Sequence, residues 1–205
     1  MRSEDVAIIG SAVLLPRVDD PDTLHDLLRE GRDTVGRPSP QRLHHNGGAA
    51  GARYLPMAYL DRIDQFDHRF FGISLREAEL MDPHQRLVLQ LAHHAVENAC
   101  YAPADLRGSR TAVVLGHSRS DYDTLFDDDD PQQVLGSLGA SLAARVSYVF
   151  GFTGPAFVVD TACSGSLVAV AQAVAALRSG DAELAVAGGV SVRPVLIREQ
   201  GHTPL

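Results

Sequence analysis

Four short β-branched runs alternate with stretches of helical periodicity, and this alternation constrains the fold more than any other feature of the chain. The runs are Val6-Ala7-Ile8-Ile9, Thr111-Ala112-Val113-Val114-Leu115, Phe157-Val158-Val159 and Leu184-Ala185-Val186-Ala187. None shows polar alternation, so each fits a strand covered on both faces. Strands of this kind separated by helices build a parallel sheet. The expected fold class is α/β.

The helical stretches are sharply punctuated. Asp-Pro stands before three of them, at Asp20-Pro21, Asp82-Pro83 and Asp130-Pro131. Aspartate offers an N-cap oxygen, and proline fits the first helical position, where its missing N–H is not needed. The first helix is expected from Pro21 to Glu30, with Leu24, Leu27 and Leu28 inward and Gly31 as its stop. The second is expected from Pro83 to about Ala99. Leu87, Leu91, Ala95 and Ala99, with Val88 and Ala92 beside them, form its apolar face. A capping box, Ser74-x-x-Glu77, opens a shorter helix just before it. The third, Pro131 to Phe150, should break near Gly136 and Gly139 and end at Gly151. The fourth, Ser164 to Leu177, is apolar almost all round and is stopped by Ser179-Gly180, a pattern that belongs inside a core. Residues 32 to 73 read as a long connection, rich in Gly and Pro at first, and connections of that length commonly build a functional surface.

At 205 residues the chain has room for one large domain or two small ones. No apolar run reaches the roughly 18 residues that cross a bilayer, and the start shows no signal-peptide pattern, so a cytoplasmic protein is expected. The net charge of −8 disfavours nucleic acid and anionic membrane as partners. All 18 basic residues are arginine. The absence of lysine removes Schiff-base, phosphate-loop and lysine-base chemistry. Two cysteines, Cys100 and Cys163, are too few for a disulfide framework.

The stretch richest in chemistry is Val158-Val159-Asp160-Thr161-Ala162-Cys163-Ser164-Gly165-Ser166-Leu167. It reads as a strand, a turn of small residues and a helix, with Cys163 at the junction. A cysteine at a helix N-terminus meets unpaired N–H groups and the positive end of the macrodipole, which favour thiolate and make a nucleophile. Ala162, Gly165 and Ser166 leave room for a substrate at the sulfur. On position alone, a small buried cysteine without a chemical role is an equal reading.

Asp160-Thr161-Ala162-Cys163-Ser164-Gly165-Ser166-Leu167 resembles the active-site cysteine motif of β-ketoacyl synthases, in the form found in polyketide synthases. Three further blocks agree in order. They are Phe66-Asp67-His68-Arg69-Phe70-Phe71-Gly72 running to Met81-Asp82-Pro83-His84-Gln85-Arg86-Leu87, then Ala144-Arg145-Val146-Ser147-Tyr148 leading to Gly151-Phe152-Thr153-Gly154-Pro155, and last Ala187-Gly188-Gly189-Val190. The second block resembles ketosynthases rather than thiolases, which share the fold. The resemblance implies a thiolase-like layered α/β fold, with residues 1–205 forming most of its first, N-terminal half. It implies that Cys163 accepts an acyl group from the phosphopantetheine arm of an acyl carrier protein, its backbone N–H helping to hold the oxyanion. A malonyl-type unit, decarboxylated, would then attack the thioester. Ala162, Ser164 and Gly165 would line the substrate pocket, and neither a bound cofactor nor a metal is expected.

The chain departs from that pattern in ways that shape the expectation. The family's catalytic histidines and lysine belong to the second half of its fold. None of the nine histidines here (His25, His44, His45, His68, His84, His93, His94, His117, His202) has the expected context, Gly201-His202-Thr203 being a faint echo. The chain is therefore expected to act as an acyltransferase portion that needs a complementary ketosynthase half, or to pair as a homodimer. The alternative is a non-catalytic, truncated ketosynthase-like subunit supporting a complete partner. Half of a layered domain should also leave the Ser164–Leu177 helix uncovered on one face.

Smaller signals are weighed beside these. Gly165 stands where serine is common and should loosen the pocket floor, and His93-His94 change the packing of their helix. His44-His45 lacks further ligands for a metal. Asp127 to Asp130 reads as an acidic cap rather than a cation site. His93 and His94 cannot share one helix face, so at least one should meet solvent. Cys100 reads as a packed structural thiol, and Ser164-Gly165-Ser166 lacks the spacing of a serine hydrolase elbow.

Overall fold

A computed structural model describes residues 5–45, 52–126 and 131–199. Asp127 to Asp130 and His202 lie outside them, and with them the cap expected from Asp130. The chain divides into two compact units, one of residues 1–12 and 66–191 and the other of 13–65 and 192–205.

The larger unit is built on three parallel strands, β1 (Thr111–His117), β2 (Ala156–Val159) and β3 (Leu184–Val190), in the order β2-β1-β3. Val113 pairs with Ala156 on one side and Val186 on the other. The alternation of β1 sends Val113 and Leu115 to one face and Val114 to the other. The first face is covered by α4 (Pro83–Asn98) and α6 (Ser141–Phe150) through Leu89, Ala92, Val96, Leu142 and Val146. Full burial of the leucine and valine side chains among them contributes roughly 1.5–3 kcal/mol each. The second face is covered by α7 (Gly165–Ser179) through Ala169 and Ala173.

The helix ends follow their chemistry. Asp82 Oδ1 accepts from His84 N at 2.7 Å at the head of α4, and Ser74 Oγ accepts from Glu77 N at 3.2 Å at the head of α3 (Leu75–Leu80). The third stretch breaks as expected, into α5 (Pro131–Ser137) and α6, with Leu138, Gly139 and Ala140 between, while Gly136 stays inside α5, where a Cβ would strike Leu80 O. Gly151 and Gly180 end α6 and α7 in the left-handed conformation. Gln85 ties these helices together. Its amide donates to Gly136 O at 2.7 Å and its Oε1 accepts from Arg145 Nε at 2.8 Å, while Arg145 also pairs with Glu77.

Five expectations in this unit are corrected. Val6-Ala7-Ile8-Ile9 is not a strand; the segment joins no ladder among the described residues, and Ile8 is 88% exposed. An apolar run becomes a strand only where a neighbouring edge offers its N–H and C=O groups in register. Here the segment borders a groove of about 1750 Å³ shared with α4, α7 and β3. Only β1 is buried along most of its length; β2 and β3 send residues into the packing on both faces but remain partly exposed. Nor does α7 lie inside a core. Gly165, Ala169 and Ala173 are its buried residues, and Leu167 and Val170 stand exposed, as expected of a helix covered on one face. Leu91, Ala95 and Ala99 of α4 line the groove, the buried face of that helix passing instead through Leu87, Val88, Leu89, Ala92 and Val96. Finally, Cys100 is exposed rather than packed. It follows the C-cap of α4 at φ 62°, its N–H bonded to Glu97 O at 2.8 Å, in the left-handed position that usually takes glycine.

The helix Ala162–Ser179 reaches 18 residues at a mean hydropathy of 1.3, so length and composition alone would let it span a bilayer, contrary to the expectation that no segment does. Packing on the sheet covers one face of it, and 22% of that stretch is buried.

The smaller unit holds α1 (Pro21–Arg29), capped by Asp20 Oδ1 on Thr23 N at 2.9 Å, and α2 (Pro40–His45). Leu27 is buried, but Leu28 is 68% exposed and does not join it inside. The 32–73 connection is thus partly structured, with α2 started by Ser39 Oγ on Arg42 N and isolated bridges joining Gly36 to Met57 and Tyr54 to Arg198. Arg42 is buried and donates to Arg193 O, while Glu199 pairs with Arg53 at 2.8 Å.

Candidate active site

Cys163 lies in a 3-10 turn, Ala162–Ser164, between the end of β2 and the start of α7, and its side chain is exposed. The turn is made by side-chain oxygens on either side of the sulfur. Asp160 Oδ1 accepts from Ala162 N at 3.1 Å, and Ser164 Oγ donates to Thr161 O at 2.8 Å. Ala162 takes φ 51°, a left-handed conformation that costs an L-residue roughly 1–2 kcal/mol and folds the chain back sharply. The N–H of Cys163 finds no hydrogen-bond partner among the described residues.

Two glycines that seat the turn carry no catalytic signal in the sequence. A Cβ at Gly116 of β1 would lie 2.5 Å from Gly165 C and 2.6 Å from Ser166 N, and one at Gly189 of β3 would strike Ser166 Oγ. The start of α7 therefore rests directly on bare backbone at the carboxyl ends of β1 and β3. Their spacing in two different strands hides this relation, whereas Gly189 falls in a block already singled out.

Of the residues expected around the sulfur, Ala162 and Ser164 are exposed beside it, but Gly165 is buried and faces Gly116. Gly165 is part of the helix seat rather than a loosened pocket floor. A Cβ there would meet Gly116 Cα at 3.5 Å, an ordinary contact.

On the opposite face of β1, one residue after Gly116, His117 meets His84 of α4, with Nε2 2.9 Å from His84 Nδ1. Burial, and then the neighbouring His84, hold His117 below the ordinary imidazole range, outweighing Asp82 and Asp160. Asp82 Oδ1 stands 3.6 Å from His84 Nδ1, and Asp82 Oδ2 is buried without a partner. The alternation of β1 keeps this pair on the α4 and α6 side, away from α7. His93 packs edge-on to Phe70 while His94 is exposed, so the adjacent histidines do diverge. Among the described residues no cluster of three His, Cys, Asp or Glu side chains is placed to hold a metal.

Comparison with known proteins gives this geometry a family. Residues 3–198 match the model of the β-ketoacyl synthase N-terminal domain. The chain belongs to that family. It is 44% identical over 202 residues to polyketide synthase GfsA of Streptomyces halstedii, covering 92% of this chain and 3% of that one. It is 42% identical over 204 residues to erythronolide synthase EryA2 of Saccharopolyspora erythraea, covering 94% and 6%. Among solved structures, the oxazolomycin ketosynthase domain OzmH KS7 of Streptomyces albus JA3453 superposes with a TM-score of 0.76 at 38% identity, covering 90% of this chain and 35% of that one. Ketosynthase twelve of the bacillaene polyketide synthase of Bacillus amyloliquefaciens gives 0.79 at 27% identity, covering 96% and 37%. The chain thus spans about a third of the ketosynthase structures it matches and a few per cent of the curated relatives. The α/β, thiolase-like fold and the ketosynthase resemblance are both borne out.

Proposed function

We propose that this ketosynthase N-terminal region is the acyl-accepting part of a polyketide-type condensing enzyme, with Cys163 as its nucleophile. The observation that carries the reading is the exposed sulfur on a sharp turn whose other polar side chains are spent holding it. The Cys163 thiolate attacks the carbonyl carbon of a thioester on the phosphopantetheine arm of an acyl carrier protein. A new S–C bond forms, the old one breaks, and the departing pantetheine sulfur takes up a proton. The N–H of Cys163, without a partner among the described residues, is the donor this reading assigns to the oxyanion of the tetrahedral intermediate.

Condensation needs acid–base groups to handle a malonyl-type extender, and no imidazole meets Cys163 among the described residues. The reading therefore assigns acylation to this region, and condensation to its joint action with a complementary ketosynthase half, the whole working as a dimer. The uncovered face of α7 supports such a contact.

The test is intact-mass measurement after incubation with an acyl N-acetylcysteamine thioester. One acyl mass should be gained by the chain and none by Cys163→Ala, with no β-ketoacyl product from malonyl carrier protein. Equal acylation of both proteins would overturn the nucleophile assignment and favour a non-catalytic supporting subunit.

A further inference from the structure

A second concavity lies at the same end of the sheet as the cysteine turn. It encloses about 820 Å³ between the carboxyl ends of β1 and β2 and the break between α5 and α6. Pockets of this size hold small-molecule ligands. Leu138, Phe157 and Val158 give it an apolar wall, while His117, Gly139 and Asp160 also line it. Asp160 belongs to both features, because the carboxylate on this wall is the one that holds Ala162 N in the turn carrying Cys163. A chain attached at the sulfur therefore has an apolar space beginning at the next fixed side chain.

Arg119, Ser120, Asp123 and Ser137 also reach the cavity, but the polar group beside the Gly139 backbone is an imidazole whose other nitrogen is engaged. His117 Nε2 is engaged by His84 Nδ1. The Asp82 carboxylate, 3.6 Å from the same His84 nitrogen, favours a proton there, so His84 donates and His117 Nε2 accepts. A neutral His117 then carries its own proton on Nδ1. That atom has no hydrogen-bond partner among the described residues, and it faces Gly139, where a Cβ would stand 3.2 Å away. Glycine leaves the donor uncovered on the cavity side. The ring centroids are 4.9 Å apart, a separation close to that of nitrogens aimed at each other, so the pair is a hydrogen bond and not two arms of a metal site.

We infer that His117 is a specificity-determining donor, selecting acyl chains that carry a carbonyl or hydroxyl oxygen in this cavity over fully reduced chains of the same length. The inference rests on the reading of Cys163 as acyl acceptor. A half-buried N–H left without an acceptor by a reduced chain loses a hydrogen bond that the oxygenated chain supplies. His84 is a positioning residue, acting through the His117 ring.

The experiment compares rates of Cys163 acylation by a saturated short-chain N-acetylcysteamine thioester and by its hydroxy and keto counterparts of equal length. The chain should favour at least one oxygenated thioester by about tenfold, the value of one neutral hydrogen bond. His117→Leu should bring the ratio near unity, the readout being the ratio within each protein and not either rate alone. His117→Gln, which keeps a donor, should restore part of the preference, and Gly139→Ala, which covers Nδ1, should reduce it. An unchanged ratio in His117→Leu, or no preference in the unaltered chain, overturns the inference. Should no thioester acylate Cys163, the nucleophile reading fails by itself. His117 is then tested through its ring resonances in Cys163→Ala with the matching N-acyl amides. Movement with the oxygenated amide alone supports the donor role, and no movement overturns it.

Discussion

Replacing Gly116 with alanine should damage the fold and the cysteine turn together. The new methyl would lie 2.5, 2.6 and 2.7 Å from Gly165 C, Ser166 N and Gly165 O, all backbone atoms and so unable to rotate aside. Ordinary contact begins near 3.4 Å, which leaves a deficit of about 0.9 Å. Relief requires α7 to lift from β1 or β1 to move into the packed layer of Leu142 and Val146, and neither is free to yield. Overpacking of this kind costs typically 1–3 kcal/mol, and the backbone contact puts Gly116→Ala at the upper end, about 3 kcal/mol. For a chain of this size that lowers Tm by roughly 6–12 °C. Gly188→Ala is the matched control in the neighbouring strand, because a Cβ there meets nothing within 4 Å. Urea titration gives the stability of both variants, and iodoacetamide labelling with peptide mapping reads the exposure and reactivity of Cys163 in the folded state. Gly116→Ala should fall in both, with Gly188→Ala within about 1 kcal/mol of the parent. A Gly116→Ala protein as stable as the parent, with unaltered labelling, would refute the idea that bare backbone seats the turn.

Two further outcomes concern pH and capping. Asp20 is held below the usual carboxylate range by its side-chain hydrogen bond from Thr23 and then by Thr23 N; its contribution is full above that range and is lost as pH falls through the lower folded value. Asp20→Ala should weaken α1 more than Asp20→Asn, which keeps a cap oxygen, and the parent's advantage over Asp20→Asn should shrink in acid, as read by urea titration across pH. For His117 the sign is reversed. Its folded pKa is lowered, so the unfolded chain takes up a proton first as pH falls through about 6.5, and stability declines from there downward. Urea midpoints measured from neutral to mildly acid pH should fall less steeply in His117→Leu than in the parent, and identical slopes would contradict the buried, neutral state of the ring.

What the sequence makes legible is what short range decides. Asp20 and Asp82 cap their helices because the oxygen and the N–H it meets lie two or three residues apart, and Gly151 and Gly180 end α6 and α7 through their own left-handed backbone. The parallel arrangement follows from apolar runs separated by helices long enough to cross back over the sheet. Burial is a different matter, since it depends on what arrives from elsewhere. Val6 to Ile9 and Thr111 to Leu115 read alike, yet only the second has strands on both sides. The site divides in the same way. The turn around Cys163 is written in neighbouring residues, whereas Gly116 and the His84–His117 contact depend on partners 49 and 33 positions away. Gly165 shows the limit most clearly, because a small residue next to a nucleophile reads equally well as a space for substrate or as a seat for a helix.

The central position of β1 sets an order of events during synthesis. Both of its ladder partners lie later in the chain, Ala156 opposite Val113 and Leu184 opposite Thr111, the latter about 70 residues downstream. At the usual elongation of roughly 5–20 residues per second, β1 waits about 4–15 seconds for its second edge to be paired. During that interval α4 and then α6 are made and can shield one face, but the opposite face and the open edges stay available to other chains. Ribosomes that pause after α6 and before β3 should therefore yield aggregated nascent product in proportion to the pause, so codon choice between residues 150 and 184 becomes a determinant of soluble yield.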